Sequence, residues 1–305
     1  MFNQELVALI KAGYPVLKCV EIIGSRVKNI HLKELLMKVE NEVRAGKSLS
    51  ESFAPFEKIF SPVYTASLMA GEKSGNLAGT ISRYIDYAKV ISQTKSRVKS
   101  ALTYPALLII FALILLGIVI NFILPRFSEF YADFEASLPA LTRALIAFSS
   151  AFRKNIIFLV GFLFLFSIIF IQLKRYEKTL VFRDKLKIKT PYGGPIWLEG
   201  GIALFSRTLG LLLEAGISLL ASIGIAIQAV PNKFLIQKMK HLPEYIKDGN
   251  SLSDSLSKSG VFPTLSLDMI RIGEASANLE GMLREVANLY DEKIQSKIDN
   301  FVSLI

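Results

Sequence analysis

The chain has 305 residues, 51% of them apolar, and a net charge of +10 from 36 Lys and Arg against 26 Asp and Glu. Its one cysteine, Cys19, excludes an internal disulfide and fits a reducing compartment. The basic excess does not call for nucleic acid: it lies beside two uncharged stretches, where attraction to anionic lipid and control of topology account for it.

In chain order, Leu6, Leu9 and Ile10 recur at helical spacing, which predicts a first helix stopping at Ala12–Gly13, where glycine suits a left-handed C-terminal position. Pro15 suits the first turn of a second helix. A third is predicted from about Ile30 to Ala45, ending at Gly46. Ser48 and Glu51 then have capping-box spacing. After Phe60–Ser61–Pro62 a fifth helix runs to Gly71 or Glu72. A sixth starts near Asn76 and continues through Arg83, Lys89, Lys95, Arg97 and Lys99. No strand-like alternation occurs. Residues 1–99 therefore read as a compact bundle of about six short antiparallel helices.

Residues 100–125 and 155–173 each reach the ~20 apolar residues that a helix needs to cross a bilayer, and neither keeps a polar face. Both lie too deep in the chain for a signal peptide. Pro105 removes one backbone donor from the first, predicting a bend where it meets the bilayer. Between them, 126–154 is poor in lysine and carries Phe127, Phe130, Tyr131 and Phe134, rings suited to headgroups; it reads as a short external loop. Lys174, Arg175, Lys178, Arg183, Lys185, Lys187 and Lys189 make 174–198 a basic juxtamembrane linker and place both flanking modules in the cytoplasm.

A second bundle is predicted over 199–299, because the first module repeats there. A shift of 203 lays Phe2, Leu6, Leu9, Ala12, Gly13 and Leu17 over Phe205, Leu209, Leu212, Ala215, Gly216 and Leu220. It also matches Gly46, Ser48, Leu49, Ser50 and Ser52 to Gly249, Ser251, Leu252, Ser253 and Ser255. After one dropped residue, a shift of 202 pairs Phe60, Gly71, Glu72, Ser74, Asn76, Leu77 and Gly79 with Phe262, Gly273, Glu274, Ser276, Asn278, Leu279 and Gly281. Residues 300–305 read as the beginning of a truncated third span. The expected fold is thus an all-α membrane protein: two repeated bundles joined by a transmembrane hairpin.

Catalytic chemistry is hard to find. Gly46–Lys47–Ser48 resembles the end of a phosphate loop, but the glycine needed upstream is Asn41 and the second copy lacks the lysine. His31 and His241 occupy unmatched places, without the company that a metal site or a triad needs. The chain does not read as an enzyme. What repeats is Gly71–Glu72–Lys73–Ser74–Gly75–Asn76–Leu77 and Gly273–Glu274–Ala275–Ser276–Ala277–Asn278–Leu279. Asn76 and Asn278 read as N-caps after a glycine-relaxed turn. Ala277, standing where the first copy has Gly75, predicts a second turn less dependent on a left-handed residue. For Glu72 and Glu274 two readings stand: a carboxylate settled by the positive end of the helix that follows, or a group that binds a partner's basic residue or a divalent cation.

The duplicated module, the Gly-Glu-x-Ser-Gly-Asn-Leu turn, the Ala-Gly helix end and Tyr104–Pro105 resemble the inner-membrane platform proteins of type II secretion and type IV pilus assembly (the GspF/PilC family). The segments Leu124–Phe127 and Leu138–Thr142, and Pro195, Phe205, Arg207 and Leu209, are similar too. The resemblance implies two cytoplasmic six-helix bundles, three spans in the cell inner membrane, and self-association. It also implies a scaffold connecting a cytoplasmic assembly ATPase to pilin or pseudopilin subunits, alongside other inner-membrane machine components. No cofactor is implied, except that carboxylates of the first bundle join a calcium site in some relatives, which makes Glu72 the metal candidate. The chain departs from the family by lacking the usual N-terminal extension and the third span.

Two readings of other classes compete. A transporter is disfavoured, since no ionisable residue lies inside either uncharged stretch and these are not copies of one another. The second is a membrane-anchored regulatory or signalling protein whose bundles bind a different soluble partner.

Overall fold

The computed structural model describes residues 1–123, 125–126, 177–191 and 193–303, and among these every regular element is helical. The first half runs α1 (Phe2–Lys11), α2 (Val16–Arg26), α3 (Ile30–Arg44), α4 (Leu49–Phe53), α5 (Pro62–Ser74) and α6 (Leu77–Ile118), with a 3-10 turn at Ala54–Phe56. Then come α7 (Glu177–Lys189), α8 (Gly193–Glu214), α9 (Leu219–Ala229), α10 (Lys233–Met239), α11 (Leu242–Lys247), α12 (Leu252–Ser259), α13 (Thr264–Ala275) and α14 (Leu279–Ser303). The apolar run 155–173, the segment 127–154 and the last two residues lie outside the described residues.

Helix ends follow local chemistry. Gly13, Gly46, Gly216 and Gly249 hold φ of +85°, +93°, +84° and +85° just past their helices, a conformation that a side chain makes costly. Asn29 and Asn232, equivalent residues in the two halves, each accept from an amide three places on, Leu32 and Leu235, at 3.1 Å.

Each half has its own core. In the first, Leu6, Val20, Ile23, Leu36, Val39, Leu49, Phe53, Tyr64, Leu68 and Ile81 are buried together. In the second, Ile202, Phe205, Leu209, Ile223, Leu235, Leu252, Leu256, Ile270, Leu283 and Tyr290 are. The repeat shows in the ring packing: Phe2 meets Phe60 edge-on at 6.1 Å, and their equivalents Phe205 and Phe262 meet at 5.5 Å.

The halves are not separate bodies. Met1–Ser96 and Val181–Lys297 form one compact unit, and Arg97–Leu180 with Ile298–Ile305 a second. Within the first unit a third apolar cluster joins α5 to α8 through Val63, Ala66, Ala70, Leu211, Leu212, Ala215 and Ile217. Tyr87 Oη lies 3.0 Å from Thr208 Oγ1, and Arg83 donates to the carbonyl of Glu214 at 3.2 Å across the same seam. Burial at this seam pushes the Tyr87 phenol upward.

Helix α6 spans 42 residues, about 63 Å at 1.5 Å per residue, followed by a π-helical turn at Val119–Ile123. Its first turns bury Leu77 and Ile81, whereas Leu107 to Leu116 are apolar and exposed, Phe111 by 69%. Pro105 sits inside α6 without interrupting it. Helix α8 is also long and apolar, but more than half of its apolar stretch is buried, as befits a core helix.

Two expectations are corrected. The stretch 174–198 is no linker where it is described: it holds all of α7 and the start of α8, lysine being a good helix former. The second half has no single counterpart of α3; α10 and α11 replace it, the break falling at His241, and Pro243 sits in the first turn of α11. Phe301 to Ser303 continue α14 without a break, just as the first apolar stretch continues α6.

Candidate functional site

The two repeated motifs meet. Helix α4 has five residues, and its opening amides, like those of any helix, have no partners inside it. Ser48 caps it: its Oγ accepts from Glu51 N at 3.2 Å while Glu51 Oε2 accepts from Ser48 N at 3.0 Å. The Ser48 amide holds the Glu51 carboxyl below the usual range. The remaining amides are taken by Glu72, from the last turn of α5. Its Oε1 accepts from Leu49 N at 2.5 Å; its Oε2 accepts from Ser50 N at 3.2 Å and from Ser50 Oγ at 2.6 Å. A carboxylate at a helix start also gains from the dipole.

The second half builds the same clasp. Glu274 accepts from Leu252 N at 2.5 Å, Ser253 N at 3.2 Å and Ser253 Oγ at 2.6 Å. Ser251 Oγ accepts from Asp254 N at 3.1 Å. Ser52 and Ser255 each donate back to the carbonyl of the capping serine, at 2.8 and 2.7 Å. The repeated serines 48, 50 and 52, and their equivalents 251, 253 and 255, thus all have a place in one device.

This corrects the origin of the dipole expected at Glu72 and Glu274: it belongs to α4 and α12, not to the helices that follow each turn. Gly71 and Gly273 do not relax the turn either, for both lie inside helices. They permit close packing: a Cβ on Gly71 would stand 2.9 Å from Leu77 Cα, and one on Gly273 2.8 Å from Met282 Cβ. The left-handed residue of the first turn is Gly75, φ +67°, ending α5; Ser74 Oγ donates to Gly71 O. Asn76 caps α6 by accepting from Gly79 N at 3.0 Å. Leu77 is buried and Leu279 half-buried against the respective cores. In the second turn Ser276 Oγ donates to Ile272 O, and the side chain of Asn278 fills the space where Gly281 would carry a Cβ. Contrary to the sequence expectation, Ala277 adopts φ +54°; the second turn keeps its left-handed residue without glycine.

Glu72 thus spends both oxygens on α4. Among the described residues no three His, Cys, Asp or Glu side chains converge as a metal set would. Cys19 is buried and its thiol is pushed upward by burial. His31 is exposed on α3, while His241 Nδ1 pairs with Glu244 at 2.7 Å on the surface.

One site escaped sequence reasoning. Asp184 of α7 is 4% exposed and accepts from Lys233 N at 3.0 Å, at the start of α10, and from Lys187 Nζ at 2.9 Å. Its carbonyl accepts from Asn232 Nδ2 at 3.4 Å. Burial opposes the carboxyl's charge, but the bonds from Lys187 and the Lys233 amide, with the charges of Lys187 and Arg183, outweigh it and hold the carboxyl below its ordinary value. A lone acid among lysines gave no signal of a contact 49 residues away.

Between the halves lies an open cleft of ≈ 480 Å³, lined by Tyr84, Tyr87, Ile91, Lys95, Leu204 and Gln228 among others.

The family described as Type II secretion system (T2SS), protein F matches residues 2–125 and 205–305. The chain is 26% identical over 305 residues to the type IV pilus assembly protein PilC of Myxococcus xanthus, covering all of this chain and 73% of that one. It is 29% identical over 309 residues to PilC of Pseudomonas aeruginosa, covering 100% and 82%. To the type II secretion system protein F of Vibrio cholerae it is 28% identical over 300 residues, covering 98% and 74%.

Proposed function

Because the chain belongs to the type II secretion system protein F family and is a membrane component of secretion or pilus machinery, we propose that it is the platform on which that machinery assembles its pilin or pseudopilin filament. In this reading it sits in the inner membrane with both helical halves in the cytoplasm, and self-associates. It performs no chemistry of its own; it receives a conformational change from a cytoplasmic assembly ATPase and passes it to subunits leaving the bilayer. The observation that supports this best is α6, which starts among core residues and ends as an exposed apolar stretch. One rigid element of that kind can carry a displacement from a water-facing body into lipid.

The clasps serve the same end. By tying α5 to α4 just before α6 begins, Glu72 stiffens the root of the transmitting helix. A calcium ion at Glu72 would have to displace Leu49, Ser50 or both.

Inserting glycines beside Ser96 tests the coupling. Filament output should fall to background while the protein still fractionates with membranes and co-purifies with the ATPase. Undiminished output from that variant would sink the coupling; co-purification with a kinase or regulator in place of the ATPase would sink the platform.

A further inference from the structure

Helix α7 carries two apolar faces, and only one of them is covered. Val181, Asp184 and Ile188 turn inward, Asp184 latched to the start of α10 as described. On the other side Phe182, Lys185, Leu186 and Lys189 occupy the i, i+3, i+4 and i+7 positions of one stripe, and all four are exposed, Phe182 by 68% and Leu186 by 57%. Lys238 of α10 extends the stripe: it and Lys185 lie over the ring of Phe234, 5.9 and 5.8 Å from its centroid. A ring and a leucine interleaved with lysines are poorly matched to water, and the lysines are poorly matched to an apolar protein groove.

We infer that this stripe of α7 lies on the surface of the bilayer, with Phe182 and Leu186 inserted at the acyl boundary and Lys185, Lys189 and Lys238 on anionic phospholipid headgroups. Charge complementarity selects the occupant: a surface rich in phosphatidylglycerol supplies both the negative charge and an apolar layer directly beneath it. Chain order agrees, because α7 follows shortly after the uncharged run 155–173. The Asp184 latch gives the arrangement its purpose. It fixes the rotation of α7, so a body seated on α10 is held at a set angle to the membrane and does not swing freely on a tether. The inference rests on the membrane reading above and adds to it a lipid-binding surface with named residues.

The test uses the full chain reconstituted into vesicles, with a fluorescent label on one introduced cysteine; Cys19 is buried, so the introduced thiol is the accessible one. Labels at Phe182→Cys and Leu186→Cys should be quenched by spin-labelled lipid in vesicles of phosphatidylcholine with phosphatidylglycerol. A label at the exposed His31→Cys should not. Replacing Lys185 and Lys189 by Gln should lower the docked fraction on the order of tenfold, and phosphatidylcholine alone should do the same. The inference is overturned if 182 and 186 are quenched no more than 31 while the protein remains with the vesicles. Quenching that ignores phosphatidylglycerol, or protection that appears only when the assembly ATPase is added, overturns it too. A chain that fails to stay with vesicles at all removes the membrane reading itself.

Discussion

The two halves share a clasp and differ around it. Glu72 and Glu274 hold their short helices through the same three donors at the same distances. Outside the clasp the copies diverge. The capping box is complete with Glu51, whereas Asp254 faces Arg271 at 3.9 Å. The unbroken α3 becomes α10 and α11, and the exposed cap Asn29 becomes the buried Asn232, bonded to Asp184. Gly75 becomes Ala277 with the backbone conformation kept. A part-buried set of donors and an acceptor constrain one another, because losing any one strands the rest; a surface cap or a turn residue can change at the cost of its own small contribution.

The comparison breaks most visibly at the carboxylates. Glu72→Ala or Glu274→Ala leaves two helix-opening amides and a serine hydroxyl without an acceptor, and each should cost about 3 kcal/mol. The denaturation midpoint of the full chain in detergent reads this, and a cost in only one half would end the equivalence. Next come the packing glycines: Gly71→Ala and Gly273→Ala should each lose about 2 kcal/mol, since the new methyl meets a neighbouring helix with little room to yield.

Asp184→Asn sharpens the difference, because the first half has no counterpart of this latch. It should cost about 1–2 kcal/mol at neutral pH. The carboxyl titrates below its ordinary value of 3.8 in the folded chain. Its stabilisation is therefore full above the unfolded value and is lost as pH falls through the folded one. Stability curves of wild type and variant should differ at neutral pH and converge in strong acid; a constant gap would contradict the latch. The smallest effect lies at the left-handed position. Ala277→Gly should gain about 0.5–1 kcal/mol and Gly75→Ala lose as much, strain and chain entropy partly offsetting.

Much of this was legible in the sequence. Helix-stop glycines, capping serines and the run from Asn76 into the apolar stretch are local signals, readable from spacing alone. The register between the copies picked out Glu72, Glu274, Ser50 and Ser253 as repeated residues. It did not show that they touch, because a bond between residues 22 apart in a loop-rich bundle leaves no periodic trace. Gly71 was read as a possible end of the fifth helix, which in fact runs on to Ser74, for a related reason: glycine marks turns and close helix approaches alike, and only the neighbouring backbone tells them apart. The basic run from Lys174 looked like a linker since its lysines hid the inward face of Val181, Asp184 and Ile188.

Hydrogen exchange at four amides tests the repeated clasp most directly. Leu49, Ser50, Leu252 and Ser253 should exchange slowly in the intact chain although each opens a helix; Glu72→Ala should release the first pair alone and Glu274→Ala the second pair alone. Fast exchange at these amides in the unaltered protein, or no response to either substitution, would contradict the clasp and with it the stiffened root proposed for α6.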